Sequence, residues 1–326
     1  MGTTADKLNK VLETKAAIKD AIVAKGVTVA DTDTFASYPA KIAEIQAGGG
    51  APATKFGASV DTFLGDVDEN GILNLTTWTG ALNFVGVKTA GESCMQYAFY
   101  GCTGITSVDL SSLQSVDGYG MYHAFQNCTG ITSIDLSSLQ TIGTNGMYSV
   151  FQNCRSITSV DLSSLQSVDG YGMYHAFNGC TGITSVDLSS LQSVGNYGIS
   201  NAFYVCRSIT SIDLSSLQSV GNYGMQYAFY GCTGITSVDL SSLQTIGTNG
   251  MSNAFNGCTG ITKILFPSLT DVQTNSFASS SSNGAFRSCT ALTEIHFRAD
   301  MQATIEAMSQ YANKWGATNA TIYFDL

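Results

Sequence analysis

The chain has 326 residues, of which 44% are hydrophobic and 12% charged, enough apolar side chains for a large ordered body. Its formal charge is −10, from 14 Lys and Arg against 24 Asp and Glu, so the surface repels phosphate backbones and nucleic acid is not an expected partner. No apolar run reaches the length of about 18 residues that a membrane span needs, so no membrane insertion is expected.

The first part of the chain is helical by pattern. Apolar residues recur at helical spacing over residues 5–25 and again over roughly 35–46, which predicts a small helical attachment segment at 1–46. The stretch AGGGAPAT, residues 47–54, is a flexible linker by composition. The charged N-terminus lacks the apolar stretch of a signal peptide, so we expect synthesis in a cytosol.

Residues 55–90 predict a β-rich N-terminal cap. Asn70-Gly71 between apolar runs is a strong hairpin signal. The side chains of Asp66, Asp68 and Asn70 also resemble the opening of a calcium loop, but Thr77 stands where such a loop needs a bidentate glutamate. The hairpin interpretation is therefore favoured over a metal site.

From 91 to 290 the chain repeats CTGITSVDLSSLQSVDGYGMYHAFQN, with each copy beginning at a cysteine. A constant period of about 26 residues indicates a solenoid. Apolar residues at nine positions in each copy predict a short strand, a bend and a helical stripe facing inward: Ile105, Val108, Leu110, Leu113, Val116, Met121, Ala124, Phe125 and Cys128. Residues 291–326 break the period and predict a strand–helix–strand C-terminal cap, with its helix at roughly 300–313.

The order short strand, Ser-Ser-Leu, Val-Gly or Ile-Gly, then Ala-Phe-x-x-Cys resembles the BspA-like (Treponema-type) leucine-rich repeats. This resemblance covers about two-thirds of the chain and implies an α/β leucine-rich-repeat solenoid. Family copies usually carry proline after the strand, whereas Ser111 and its equivalents stand here and only Phe266-Pro267 has the usual form. The departure concerns the turn and leaves the expected fold unchanged.

Seven of the nine cysteines, from Cys102 to Cys258, recur at the same position of successive copies. Equivalent residues of stacked copies lie about 4.8 Å apart with parallel side chains. A disulfide needs converging Cβ atoms about 3.8 Å apart. The sequence therefore predicts a column of buried, reduced thiols, with Cys94 outside the column and more exposed.

Catalytic chemistry has little support in the sequence. His123 and His175 occupy the same repeat position two copies apart, about 10 Å by the stacking distance. His296 is the third histidine, and no phosphate-binding loop, nucleophile elbow or metalloprotease motif occurs. We expect a protein that is not an enzyme and has no cofactor.

One outward strand position carries aspartate in six copies: Asp109, Asp135, Asp161, Asp187, Asp213 and Asp239. Neighbouring carboxylates at this spacing repel by about 1 kcal/mol even in water. Local hydrogen bonds from Ser111 or nearby amides are one way to relieve this repulsion. Bound cations, or a cationic partner on an acidic strand face, are the alternative.

The copies differ mainly on the outward side of the predicted helical segment, where Tyr, Asn, Ser, His, Gln and Gly alternate. These residue types combine rigid contact area with adaptable hydrogen bonding and are typical of binding surfaces. The predicted receptor-binding residues are Tyr122, His123, Gln126, Tyr148, Ser149, Tyr174, His175, Asn178, Ser200, Asn201, Tyr204, Gln226, Tyr227, Tyr230, Ser252 and Asn253. A merely solvated face is the alternative. If the face binds a receptor, replacing its tyrosines by Ala is expected to cost less than about 0.5 kcal/mol of stability each: Tyr122, Tyr148, Tyr174, Tyr204, Tyr227 and Tyr230.

Residues 1–46, with KLNKVLETKAAIKDAI and TFASYPAKIAEI, are similar to N-terminal segments of phage tail and other virion proteins from gut bacteria. The resemblance implies a phage or prophage tail fibre that attaches to other tail proteins through this segment and to a bacterial surface receptor, protein or glycan, through the solenoid. A bacterial surface adhesin of the BspA-like kind and an inert structural spacer are the alternatives. A homo-oligomer is also compatible with the sequence.

Overall fold

The computed structural model describes residues 79–84, 86–278, 280 and 282–326. The predicted helical segment 1–46, the linker 47–54 and most of the predicted cap at 55–90 lie outside the described residues. So do the calcium candidates Asp66, Asp68 and Asn70. None of the helices within the described ranges is long and apolar enough to cross a membrane.

Eighteen short strands account for most of the regular structure in the described ranges. In chain order they are β1 (Thr79–Asn83), β2 (Thr89–Ala90), β3 (Gly104–Asp109), β4 (Ser115–Val116), β5 (Ser133–Asp135), β6 (Thr141–Ile142), β7 (Ser159–Asp161), β8 (Ser167–Val168), β9 (Ser185–Asp187), β10 (Ser193–Val194), β11 (Ser211–Asp213), β12 (Ser219–Val220), β13 (Ser237–Asp239), β14 (Thr245–Ile246), β15 (Lys263–Phe266), β16 (Asp271–Val272), β17 (Glu294–Phe297) and β18 (Thr321–Phe324).

The strands form three parallel sheets. The first sheet contains the odd-numbered strands from β1 to β13, and the second contains the even-numbered strands from β2 to β16. Strands β15, β17 and β18 form the third sheet. Equivalent residues of successive coils are opposite one another, as Asp109, Asp135 and Asp161 show. The predicted leucine-rich-repeat solenoid is therefore confirmed, with each residue type stacked in a column.

The segment predicted as helical is a ribbon of tight turns. The amide of Met121 donates to the Gly146 carbonyl of the next coil at 2.8 Å. The following amide, that of Tyr122, donates to the carbonyl three residues back, Tyr119, at 3.1 Å. This alternation runs to Cys128 and repeats in the later coils. The helix prediction is wrong here because every second amide bonds across coils, whereas an α-helix directs them all along the segment.

The inward positions nevertheless match the prediction, because the turn ribbon repeats about every four residues and so gives nearly the spacing of a helical stripe. The nine residues of the first full copy are each no more than 1% exposed. The phenylalanine rings from Phe99 to Phe255 stack face to face, with neighbouring centroids 5.0–5.5 Å apart. Aromatic pairs of this kind contribute about 0.5–1.5 kcal/mol beyond the area they bury.

All nine cysteines are free thiols, and the seven predicted to form the column are buried, as predicted. The column continues past Cys258 to Cys289. Each column thiol from Cys128 onward donates to a phenylalanine carbonyl of the preceding coil, as Cys128 does to Phe99 at 2.9 Å. Cysteine suits this position because it is small, largely apolar and carries one weak donor. Cys94 is half-buried, and its thiol lies 3.5 Å from the Gly120 carbonyl.

The C-terminal residues close the core as predicted, with a strand, a helical segment and a strand. Between β17 and β18 lie a 3₁₀ turn at Ala299–Met301, helix α1 (Gln302–Glu306) and a second 3₁₀ segment at Tyr311–Gly316. The fully buried Trp315 lies against the last phenylalanine layer. His296 Nδ1 lies 2.7 Å from Asp325 Oδ1, which ties the residue after β18 to β17. The predicted helix at 300–313 is shorter in the structure and interrupted.

We predict that thiol labelling at pH 8 in native buffer reaches at most Cys94, and all nine cysteines after denaturation. Burial raises the pKa of Cys154 to about 12, and burial raises that of Cys94 to about 11, so the reactive thiolate is scarce at both. Mass spectrometry of labelled peptides reads the result. A disulfide between the equivalent cysteines of two successive copies would contradict the stacked-column geometry.

Candidate functional site

Two outward surfaces of the solenoid are candidate sites for binding a partner. The strand face is the outward side of the first sheet, with the aspartate column. The turn face is the outward side of six equivalent stretches: 118–128, 144–154, 170–180, 196–206, 222–232 and 248–258. Both were predicted as candidate sites, and they carry different chemistry.

On the strand face, each aspartate of the column accepts a backbone hydrogen bond from the residue two positions later. The Oδ1–N distances are 2.8–3.0 Å in all six copies. In one copy the Ser137 hydroxyl also donates to Asp135, at 2.7 Å. The local hydrogen bonds expected for the column are therefore present. They stabilise the carboxylates within each copy.

Two neighbouring shallow grooves run along the strand face. One, of 710 Å³, lies between Asp213, Asp239 and Leu265, and the other, of 460 Å³, lies between Asp161 and Asp187. The smaller groove is lined largely by serine hydroxyls and carboxylates, whereas the larger one also contains Lys263 and apolar side chains such as Leu265. Such a surface can accept hydrogen bonds or a cationic partner. Within the described ranges, no group of three or more His, Cys, Asp or Glu side chains could hold a metal ion.

On the turn face, most of the predicted receptor-binding residues are half-buried rather than fully exposed. The outward orientation predicted for four of them is wrong, since they are buried: Ser149, Ser200, Ser252 and Asn253. The Ser200 hydroxyl donates to the Gln226 carbonyl of the next coil at 2.9 Å. The Ser252 hydroxyl donates to the Asn283 carbonyl at 3.1 Å, because the longer last repeat brings that segment over it.

The turn face carries ladders of tyrosine rings. Tyr122, Tyr148 and Tyr174 are neighbours in successive coils, with centroids 4.9 Å apart at each step. Tyr204 and Tyr230 stack at 4.7 Å with nearly parallel rings. Because ring contacts of this kind stabilise the coils they join, we now expect removal of these tyrosines to cost more stability than the sequence alone indicates.

A further tyrosine column was not among the predicted site residues. Tyr171, Tyr197 and Tyr223 stack with centroids 4.6 and 4.7 Å apart and interplanar angles of 6° and 5°. Tyr119 occupies the same column and is 43% exposed. The repeated Gly-Tyr-Gly and Asn-Tyr-Gly triplets were the available sequence signal.

Many of these residues have a left-handed backbone. Tyr119 has φ 57°, His123 φ 54° and Tyr227 φ 55°, and the equivalent residues of the other coils are similar. Glycine and asparagine adopt this conformation at least cost, and Asn145 and Asn249 stand at the same position as Tyr119. Aromatic residues at left-handed positions are costly to the backbone. Such outliers suggest a role beyond the fold.

The turn face is uncharged. Residues 118–128 and the five equivalent stretches contain no Asp, Glu, Lys or Arg. Burial lowers the pKa of His123, and burial together with the neighbouring His123 lowers that of His175. Both rings are therefore neutral near pH 7, and each is paired with an amide side chain, Gln126 or Asn178. The turn face thus offers neutral rings and amides, whereas the strand face offers carboxylates.

Replacing Tyr197 by Asn should destabilise the protein by about 1–3 kcal/mol relative to the same replacement at Tyr119, because only Tyr197 stacks on two rings of its own column. Both residues have φ 57°, so the relief of backbone strain is the same in the two variants. Urea titration followed by circular dichroism measures the difference. Equal midpoints would show that the ladder does not stabilise the coils.

The lowered histidine pKa values predict a loss of stability in acid. The unfolded histidine binds a proton near pH 6.5, whereas the folded one does so only at lower pH. The unfolded state therefore binds more protons, and stability falls as the pH drops below about 6.5. Thermal midpoints from pH 8 to pH 4.5 should fall less in a His123→Ser, His175→Asn variant, which uses residues present at these positions in other coils. An identical fall of the thermal midpoint in the variant and the wild type would contradict the assignment of this acid sensitivity to His123 and His175.

Comparison with protein families agrees with this geometry. The sequence model of the BspA type leucine-rich repeat region, which spans six copies, matches residues 79–174, 147–283 and 200–313. Among solved structures, internalin C2 from Listeria monocytogenes is 15% identical with a TM-score of 0.34, covering 62% of this chain and 74% of that chain. No curated protein matches the chain. The family match begins at residue 79, so the phage-tail resemblance of residues 1–46 stays a prediction. The chain belongs to the BspA type leucine-rich repeat family.

Proposed function

We propose that the protein is a non-enzymatic recognition protein whose turn face binds a receptor on a bacterial cell surface. The observation that carries this proposal is the set of tyrosine and histidine rings held at left-handed backbone positions on an uncharged face. Glycine or asparagine at those positions would cost the backbone less. The residues that stand at those positions instead of glycine or asparagine are of types found at binding surfaces.

The strand face supports the same conclusion by contrast. Its residues Thr-Ser-x-Asp hardly vary from copy to copy, and one oxygen of each carboxylate is already bound by its own turn. A surface that is uniform along the stack offers the same chemistry at every coil. The turn face differs from coil to coil, and so offers the local differences that select one partner over another.

We propose a phage or prophage tail fibre as the setting, with residues 1–46 joined to other tail proteins and the solenoid making host attachment. The support for this setting is the residue-level resemblance of that segment. In this setting the protein is made in the host cytoplasm and acts in the virion. Adhesion by a bacterial surface protein is the alternative, and membership of the BspA type family favours it.

Fluorescently labelled protein should bind cells of at least one isolate in a panel of gut bacteria, measured by flow cytometry. Replacing the left-handed residues Tyr119, Tyr171 and Tyr227 by Asn, the residue that other coils carry at the equivalent positions Asn145, Asn249 and Asn201, should weaken binding by at least about tenfold, since interface aromatics dominate binding energy. The matched control changes Asp135, Asp161 and Asp187 to Asn and should leave binding unchanged.

The reverse pattern, with binding lost in the aspartate variant and kept in the tyrosine variant, would move the site to the strand face. Binding that survives in both variants would contradict recognition by the solenoid. A chain that binds no isolate would support the inert-spacer interpretation. Circular dichroism of each variant separates lost binding from lost folding.

A further inference from the structure

Four tyrosines form a connected row where the first described coil, residues 92–102, meets the first stretch of the turn face, residues 118–128. The ring centroids are 6.0 Å apart for Tyr100 and Tyr97, 5.6 Å for Tyr97 and Tyr122, and 5.4 Å for Tyr122 and Tyr119. We call Tyr100, Tyr97, Tyr122 and Tyr119 the tyrosine row. It crosses from one coil to the next, whereas the ladders follow a single column.

The two ends of the tyrosine row differ from the ladders in the surface they expose. Tyr100 is 41% exposed and Tyr119 is 43% exposed. Each makes one tilted contact, at 53° and 52°, with another ring of the row. Their column neighbours include no aromatic residue: Gln126 for Tyr100, and Ser93 and Asn145 for Tyr119. Among the described residues, no ring stacks face to face on Tyr100 or Tyr119, whereas Tyr197 is stacked between Tyr171 and Tyr223.

Hydrogen-bonding side chains surround the row. His123 stacks on Tyr97 at 4.9 Å and 5°, and its Nδ1 lies against Gln126 Oε1. Gln126 in turn donates through Nε2 to Gln152 Oε1 at 2.8 Å. This chain of contacts fixes the amides and the imidazole beside the rings, so the site is ordered before a ligand arrives.

The charge around the tyrosine row restricts its ligand. The row itself carries no charge, since His123 is neutral and burial, with neighbouring tyrosines, raises the pKa of Tyr122 to about 12. Along the chain the nearest charged side chains are Glu92 and Asp117, both exposed. These carboxylates can accept hydrogen bonds from hydroxyl groups, and they repel anionic ligands.

We propose that the tyrosine row binds a neutral glycan, an inference that rests on the proposed recognition function and names its ligand class. The C–H face of a sugar ring packs against the negative face of an aromatic ring, and the hydroxyls at its edge match amides and carboxylates. A protein partner fits less well, because a stable protein interface buries about 800 Å² on each side and involves about 20–30 residues. Four rings and their neighbours form a site of small-ligand size.

The test is an array of immobilised neutral oligosaccharides, built from hexoses and N-acetylhexosamines, beside sialylated and uronic-acid oligosaccharides. The wild-type protein should bind a subset of the neutral glycans and none of the anionic ones. A Tyr100→Gln, Tyr119→Asn variant should lose at least about tenfold in signal. These replacements are the residues that other coils carry at the same positions, Gln126 and Asn145, so folding is preserved.

The matched control changes Asp135, Asp161 and Asp187 of the strand face to Asn and should leave glycan binding unchanged. Binding restricted to anionic glycans, or neutral-glycan binding that is the same in the row variant, would overturn the inference. So would an array on which no glycan binds.

Treated cells distinguish failure of this inference from failure of the proposed function. Periodate oxidation of the sugars on bound cells should abolish binding, and protease treatment should spare it. Binding that is lost with protease and kept with periodate would mean a protein receptor. That result would overturn the glycan inference and leave the recognition function in place.

Discussion

The structure depends on hydrogen bonds between coils that are stacked in register. Backbone amides of one coil donate into the next along both strand columns and along the turn ribbon. No coil can satisfy its polar groups or bury its apolar face alone. The same register is kept from coil to coil through most of the array. Each side chain therefore lies next to the equivalent side chains of the neighbouring coils and must pack against them.

This self-stacking explains which residues form the columns. Phenylalanine stacks on phenylalanine, and the Phe99 carbonyl accepts both the Cys102 amide and the Cys128 thiol. The core is therefore held by aromatic contacts and by a weak but repeated sulfur hydrogen bond. Aspartate is the unfavourable case, since like charges meet at every step. The turn after each strand offsets that repulsion by donating an amide to the carboxylate.

The turn face follows the same rule with a different outcome. Where successive coils carry tyrosine in one column, as from Tyr171 to Tyr223, the rings cover one another and stabilise the stack. Where the column changes residue, as at Tyr119, the ring is left with an open face. The difference between coils therefore decides which aromatic side chains can meet a partner. Variation along the array therefore leaves individual rings exposed on an otherwise periodic surface.

The sequence by itself determined the period, the solenoid, the nine inward positions and the thiol column, because each depends on spacing along one chain. It also predicted the local hydrogen bonding of the aspartates, which involves near neighbours in the chain. Only the tertiary structure showed that residues 118–128 form a turn ribbon and not a helix, since both give the same inward spacing. It also decided that Ser200 and Ser252 are buried and that Tyr197 is stacked while Tyr119 is open. Those outcomes depend on which residue the neighbouring coil places alongside, a relation between positions at least one whole repeat apart.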